Sequence, residues 1–215
     1  VRWTDQENIY DWVPTTFNQS GEQRLSNGST IVTAVHSRQE NIVFTDTAVF
    51  VMQYLGPPYI WGFQLITDNI SVASPNAIAT ANNITYWMGT DKFYTYSGRV
   101  DTLDCTIWKY IYNNINKDQL YQVMAGTNAA YSEVWWFYPS ANSLVNDSYA
   151  IYNYSERIWY YGSLSRTAWL DSALRQYPMA AFGVQITYLA ANITASDTTI
   201  PLLNSGAYPT TGSIQ

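Results

Sequence analysis

Residues 84–98 read Ile-Thr-Tyr-Trp-Met-Gly-Thr-Asp-Lys-Phe-Tyr-Thr-Tyr-Ser-Gly, and the fold turns on them. Two runs of β-branched and aromatic residues, Ile84–Met88 and Phe93–Tyr96, flank the turn cluster Gly89-Thr90-Asp91-Lys92. That pattern predicts a β-hairpin. The pattern recurs. Ile42–Tyr54 has a similar shape, with Thr45-Asp46 set against Thr90-Asp91, an offset of about 45 residues. A third copy opens at Val134–Tyr138, with Trp135 set against Trp87, an offset of about 48. It closes with Ser148–Tyr154 after the longer loop 139–146. Hairpins recurring every 45 to 48 residues match the blade period of a β-propeller. The expected fold is therefore mainly β and propeller-like, with kelch-like hairpin repeats.

Around these hairpins, Thr30–Ser37 and Ala77–Ala81 read as strands, and Ile158–Tyr161 as an outer strand after the turn Glu156-Arg157. Asp104–Asn116 breaks the pattern. Ile107, Trp108, Ile111, Tyr112 and Ile115 fall at helical spacing, with Asp104 as the expected N-cap. Leu120–Asn128 reads as a strand, and Arg166–Tyr177 as a loop or one helical turn. Arg2-Trp3 through Trp12 resembles an incomplete copy of the repeat. Pro178–Ala190 starts a new strand set, after which Thr, Ser and turn residues dominate. The expected division is a partial propeller over 1–183, then a linker and the start of a small β module over 184–215. The chain reads as part of a longer protein.

Of 215 residues, 47% are hydrophobic and only 12% charged, with 19 Tyr and 9 Trp. This is the composition of sheets packed on other surfaces, not of a disordered chain. Net charge is −6, and no run of Lys or Arg occurs. Gripping nucleic-acid phosphate calls for a basic stripe. A weakly acidic surface instead suits a wall past which DNA slides without sticking. No apolar run reaches membrane-span length. Seven Asn-x-Ser/Thr triplets occur, and they read as a product of composition more than as glycosylation sites.

Chemistry is sparse. Cys105 and His36 are single, so no intrachain disulfide forms and Cys-rich zinc sites are excluded. Cys105 reads as a small packed hydrophobe and His36 as an ordinary strand residue. No phosphate loop, nucleophile elbow or metal-helix motif is present. Asp46, Asp91, Asp101, Asp104, Glu133 and Asp147 could supply a glycosidase pair. Asp46 and Asp91 recur in corresponding turns, however, which points to turn chemistry. No catalytic, cofactor or metal residue is expected. Gly56-Pro57-Pro58-Tyr59-Ile60-Trp61-Gly62-Phe63 is the candidate interaction loop, with Pro57, Pro58, Tyr59, Trp61 and Phe63 as its contact residues. The competing reading packs these aromatics against a neighbouring sheet. Exposed Tyr and Trp could also stack on glycan rings, and charge-poor aromatic surfaces suit permanent protein interfaces.

Val1–Trp12 (VRWTDQENIYDW), Phe44–Ile66, Tyr86–Val100 and Glu133–Pro139 (EVWWFYP) resemble virion structural proteins of tailed bacteriophages. The nearest type is the tail tubular or nozzle protein of short-tailed phages, which carries a β-propeller. The resemblance spans roughly residues 1–182, and Asp197–Gln215 resembles a small β module of phage tail proteins. It implies a homo-oligomeric ring, six copies in the nozzle, meeting an adaptor and tail fibres. Such a ring lines the DNA exit channel, retains the genome and then releases it. The resemblance carries no catalytic residues. The alternative is a host-surface or glycan-binding propeller on the same kind of particle.

Overall fold

The computed structural model describes residues 1–37, 40–172, 174–175 and 177–181. Three four-stranded antiparallel sheets follow one another along the chain, each a simple meander. The first two strands, β1 (Arg2–Trp3) and β2 (Gly21–Glu22), pair with each other at its start. The first sheet comprises β3 (Ile31–His36), β4 (Asn41–Thr45), β5 (Ala48–Tyr54) and β6 (Trp61–Asp68). The second comprises β7 (Ile78–Ala81), β8 (Ile84–Met88), β9 (Phe93–Tyr96) and β10 (Val100–Leu103). A helix, α1 (Trp108–Asn113), and a 3₁₀ turn, Lys117–Gln122, lead to the third. That sheet holds β11 (Met124–Asn128), β12 (Glu133–Tyr138), β13 (Ser148–Asn153) and β14 (Ile158–Ser163). A short hairpin, β15 (Ala168–Leu170) with β16 (Met179–Ala181), closes the described chain. The protein is thus mainly β, built from small antiparallel sheets. Val1–Phe182 forms one compact unit. The module expected over 184–215 lies outside the described residues.

Alternation along the strands decides how the sheets stack, because side chains one residue apart point to opposite faces. In the second sheet, Trp87 meets Phe44 of the first sheet, ring centroids 5.1 Å apart. Its neighbour Tyr86 faces the other way and meets Tyr152 of the third sheet at 6.0 Å. Phe93, also on that side, touches Trp136 at 4.9 Å and Trp159 at 4.7 Å. The third sheet continues the scheme. Trp135 and Phe137 face away from the second sheet and hold Trp169 of β15 at 5.3 and 5.4 Å. One hydrophobic cluster therefore runs through all three sheets, with Trp87 and Trp136 at 0% exposure. The first strands also converge: Val35 of β3, Ile78 of β7, Ala125 of β11 and Ala168 of β15 border one cavity of about 510 Å³.

Several expectations are corrected. The residue equivalent to Trp87 is Trp136, not Trp135, since Trp136 faces the preceding sheet as Trp87 does. The Thr-Asp pairs are also one position out of step. Phe44 pairs with Val49 and Met88 with Phe93, so Asp46 aligns with Thr90 rather than Asp91. The helix is shorter than 104–116. Its N-cap is Ile107, with no side-chain cap, and the Asp104 carbonyl instead accepts a hydrogen bond from Trp159 Nε1 at 2.9 Å. Residues 120–122 finish a 3₁₀ turn, leaving the strand to begin at Met124. Within 166–177, Ala168–Leu170 is a strand, recruited by its pairing with β16 and by Trp169 lying on β11.

Candidate functional site

The first sheet has a second apolar face, made by Val43, Ala48 and Phe50, with Leu25, Met52 and Phe63 packed on it. Among the described residues, the N-terminal segment with its β1–β2 pair covers this face in part. Trp3 stacks on Phe63 at 6.3 Å and lies over Gly21, its partner across β1 and β2. A Cβ on Gly21 would come within 2.3 Å of the Trp3 ring, so only glycine permits this close approach. Trp3 Nε1 donates to the Gln19 carbonyl at 2.8 Å.

From that anchor the segment 5–20 folds on itself through side-chain caps. The Gln19 N–H donates to the Asp5 carboxylate at 2.6 Å. Asn18 Nδ2 donates to the Asp11 carboxylate at 2.9 Å and to the Val13 carbonyl at 2.8 Å, while its Oδ1 accepts from the Thr15 N–H at 2.8 Å. Ser20 Oγ donates to the Val13 carbonyl at 2.9 Å. These short polar side chains hold a loop in place of a ladder.

Opposite it stands the loop between β5 and β6. The Leu55 N–H donates to the Ile60 carbonyl at 3.0 Å and closes the loop, with Pro57, Pro58 and Tyr59 exposed at the tip. Trp61 and Phe63 belong to β6, not to the loop. They are half-buried, Trp61 against Tyr54 at 5.4 Å and Phe63 under Trp3. The expected contact set therefore divides. Phe63 packs under Trp3 of β1, and Trp61 packs in part on Tyr54 within its own sheet. Pro57, Pro58 and Tyr59 border an open groove of about 720 Å³ with Trp3, Phe17 and Trp61. Phe17 is 99% exposed and Tyr59 74%, and Tyr10 and Val13 project nearby in sequence. Phe17 was not foreseen; an apolar residue inside a turn-rich polar run was its only signal.

Five of the six candidate carboxylates, all but Asp104, are occupied locally. Asp46 accepts from the Ser29 N–H at 2.8 Å and Ser29 Oγ at 2.6 Å, which holds its carboxyl below the usual value. Asp147 accepts from the Ser140 N–H at 2.8 Å and Ser140 Oγ at 2.7 Å. Asp101 pairs with Arg99 at 2.8 Å, Glu133 accepts from Trp135 Nε1 at 2.9 Å, and Asp91 from the Tyr94 hydroxyl at 3.3 Å. The Asp46 carboxylate binds the entry to β3 across the sheet rather than its own turn; Thr45 Oγ1 caps that turn by accepting from the Ala48 N–H at 2.9 Å. His36 Nδ1 lies 3.1 Å from Asn41 Oδ1, its cross-strand neighbour. Burial pushes the Cys105 thiol up to about 12. Among the described residues, no group of three His, Cys, Asp or Glu is placed to hold a metal, and no helix is long and apolar enough to cross a membrane.

No protein-family model matches the chain, and no curated protein matches it.

Proposed function

We propose that the chain is an arc of a β-propeller and serves as a structural component of a phage tail or neck. The observation that carries the propeller reading is the convergence of the first strands of three successive meanders, and of β15, on one cavity. Radial stacking of four-stranded sheets leaves the first strand innermost, as in propeller blades. The β15–β16 hairpin then opens a fourth blade. The tail reading adds the phage resemblance and a surface suited to assembly. Aromatic wedges between sheets make rigid blocks, and the net charge of −6 disfavours sticking of passing DNA to the channel wall. In this reading identical arcs assemble as a ring, six copies as in a nozzle, around the DNA exit channel. The ring meets an adaptor and tail fibres and helps hold, then release, the genome.

The test is the quaternary state and the company of the protein. Sedimentation and electron microscopy should show a closed homo-oligomeric ring, and the protein should co-purify with particles. A protein that stays monomeric and is absent from particles overturns the proposal.

A further inference from the structure

We infer that the groove between residues 14–23 and 57–61 binds a neutral oligosaccharide. Its volume of about 720 Å³ lies within the range of small-molecule sites, roughly 300–1,000 Å³. Four aromatic side chains border it, Trp3, Phe17, Tyr59 and Trp61, and two of these leave most of their ring surface free. Flat apolar faces of this kind match the C–H faces of pyranose rings. The rest of the lining mixes hydroxyl and amide side chains such as Thr16 and Gln19 with the apolar Pro14, Pro57, Pro58 and Ile60 and the carboxylate of Glu22. Among the described residues, the Gln19 amide, the Thr16 hydroxyl and the Tyr59 phenol have no hydrogen-bond partner, so they are available to sugar hydroxyls. The one carboxylate in the lining, Glu22, is paired with Arg2 at 2.7 Å. A groove that offers stacking faces and neutral hydrogen-bonding groups, with its charge paired off, selects an uncharged polyhydroxylated ligand. It is also set before binding: Trp3 is held by Phe63 and Gln19, and Asn18 makes three hydrogen bonds within its own loop. Little ordering is then needed on association. A protein-docking surface would also use exposed Phe17 and Tyr59, but it would not bind a free hexasaccharide. The inference does not depend on the tail reading.

The experiment is calorimetric titration of the purified chain with neutral hexasaccharides of glucose, mannose and N-acetylglucosamine. At least one should bind with a dissociation constant on the order of 1 mM or tighter. Tyr59→Ala, at an exposed tip, should weaken binding about tenfold, the loss expected for one stacking ring. Gln19→Ala should weaken it several-fold, and Tyr10→Ala, outside the groove, should leave it unchanged. Raising the salt should have little effect, because the ligand is uncharged. Circular dichroism checks that each variant is folded. The inference is overturned if no hexasaccharide binds the wild-type chain. It is equally overturned if folded Tyr59→Ala and Gln19→Ala bind as wild type, or if Tyr59→Ala alters self-association and not sugar binding.

Discussion

Trp87 and Trp136 occupy equivalent places in successive sheets, both fully buried, yet their indole N–H groups differ. Trp136 Nε1 donates to the Ala77 carbonyl at 3.1 Å, whereas Trp87 Nε1 has no partner among the described residues. Replacing each by Phe removes similar volume but different polar balance. Trp136→Phe removes one of the two hydrogen bonds that the Ala77 carbonyl accepts, the other coming from the Met88 N–H at 3.2 Å; Trp87→Phe removes an orphaned donor. Chemical denaturation should find Trp136→Phe the more destabilising, by about 0.5–1.5 kcal/mol, the net worth of one hydrogen bond. Titration adds a second expectation at this scale. Burial, then the nearby Tyr152 and Tyr154, pushes the Tyr86 phenol up to about 12. Burial, then Asp91, does the same for Tyr94. Both ordinary values are 10.0, so each phenol favours the folded state while protonated. Their contribution is complete below pH 10 and fades as pH rises through about 12. The urea midpoint should hold steady up to pH 10 and fall beyond it, less steeply in Tyr86→Phe. Asp46 acts at the other extreme. Its lowered value supports the fold above its ordinary 3.8 and loses that support as pH falls through the folded-state value, so Asp46→Asn should flatten the acid limb.

At the scale of elements, the seams between sheets carry the energetics. Trp169 lies flat on β11 only because Gly126 has no side chain. A Cβ there would sit 2.3 Å from the indole ring, whose N–H donates to the Thr127 carbonyl at 2.7 Å. Gly126→Ala should therefore displace Trp169 and cost about 1–3 kcal/mol, an overpacking penalty readable by thermal unfolding. Trp136→Ala, at the seam between the second and third sheets, should cost about 3–5 kcal/mol. The hairpins themselves were legible in the sequence, because apolar runs and turn residues are local signals. The face each strand presents was not. With Trp135 and Trp136 adjacent, composition cannot say which one points to the preceding sheet, and a slip of one residue exchanges the two faces. The helix suffered similarly: Ile107, Ile111 and Ile115 keep helical spacing, but the chain leaves the helix at Asn114, and Ile115 pairs with Ser140 instead. Of the candidate site, the Pro57–Tyr59 tip was readable from its prolines and exposed aromatic. Its opposite wall, including Phe17, depends on the fold of residues 5–20 through Asp5, Asp11 and Asn18, which no local pattern announces.

At the scale of the whole molecule, the end sheets carry apolar residues that remain open among the described residues. Among the described residues, the second apolar face of the first sheet is covered in part by the N-terminal segment. The third sheet is covered on its far side by a two-stranded hairpin, leaving Ile158 and Tyr160 at 46% and 44% exposure. If the arc belongs to a ring, as proposed, these end faces are shielded in the assembly. Dye binding to apolar surface should then fall on oligomerisation, and hydrogen exchange in β14 should slow. Unchanged exchange at β14 between monomer and assembly would count against it. The amino-acid sequence by itself determined the β class, the recurrence of the hairpins and the poverty of charged chemistry. These rest on composition and on contacts between near neighbours in the chain. Only the tertiary structure decided which face of each strand is buried, which residues pair at the seams, and that residues 14–23 and 57–61 border one groove. Those outcomes arise from contacts between residues far apart in sequence, where packing, rather than local preference, selects among registers of nearly equal composition.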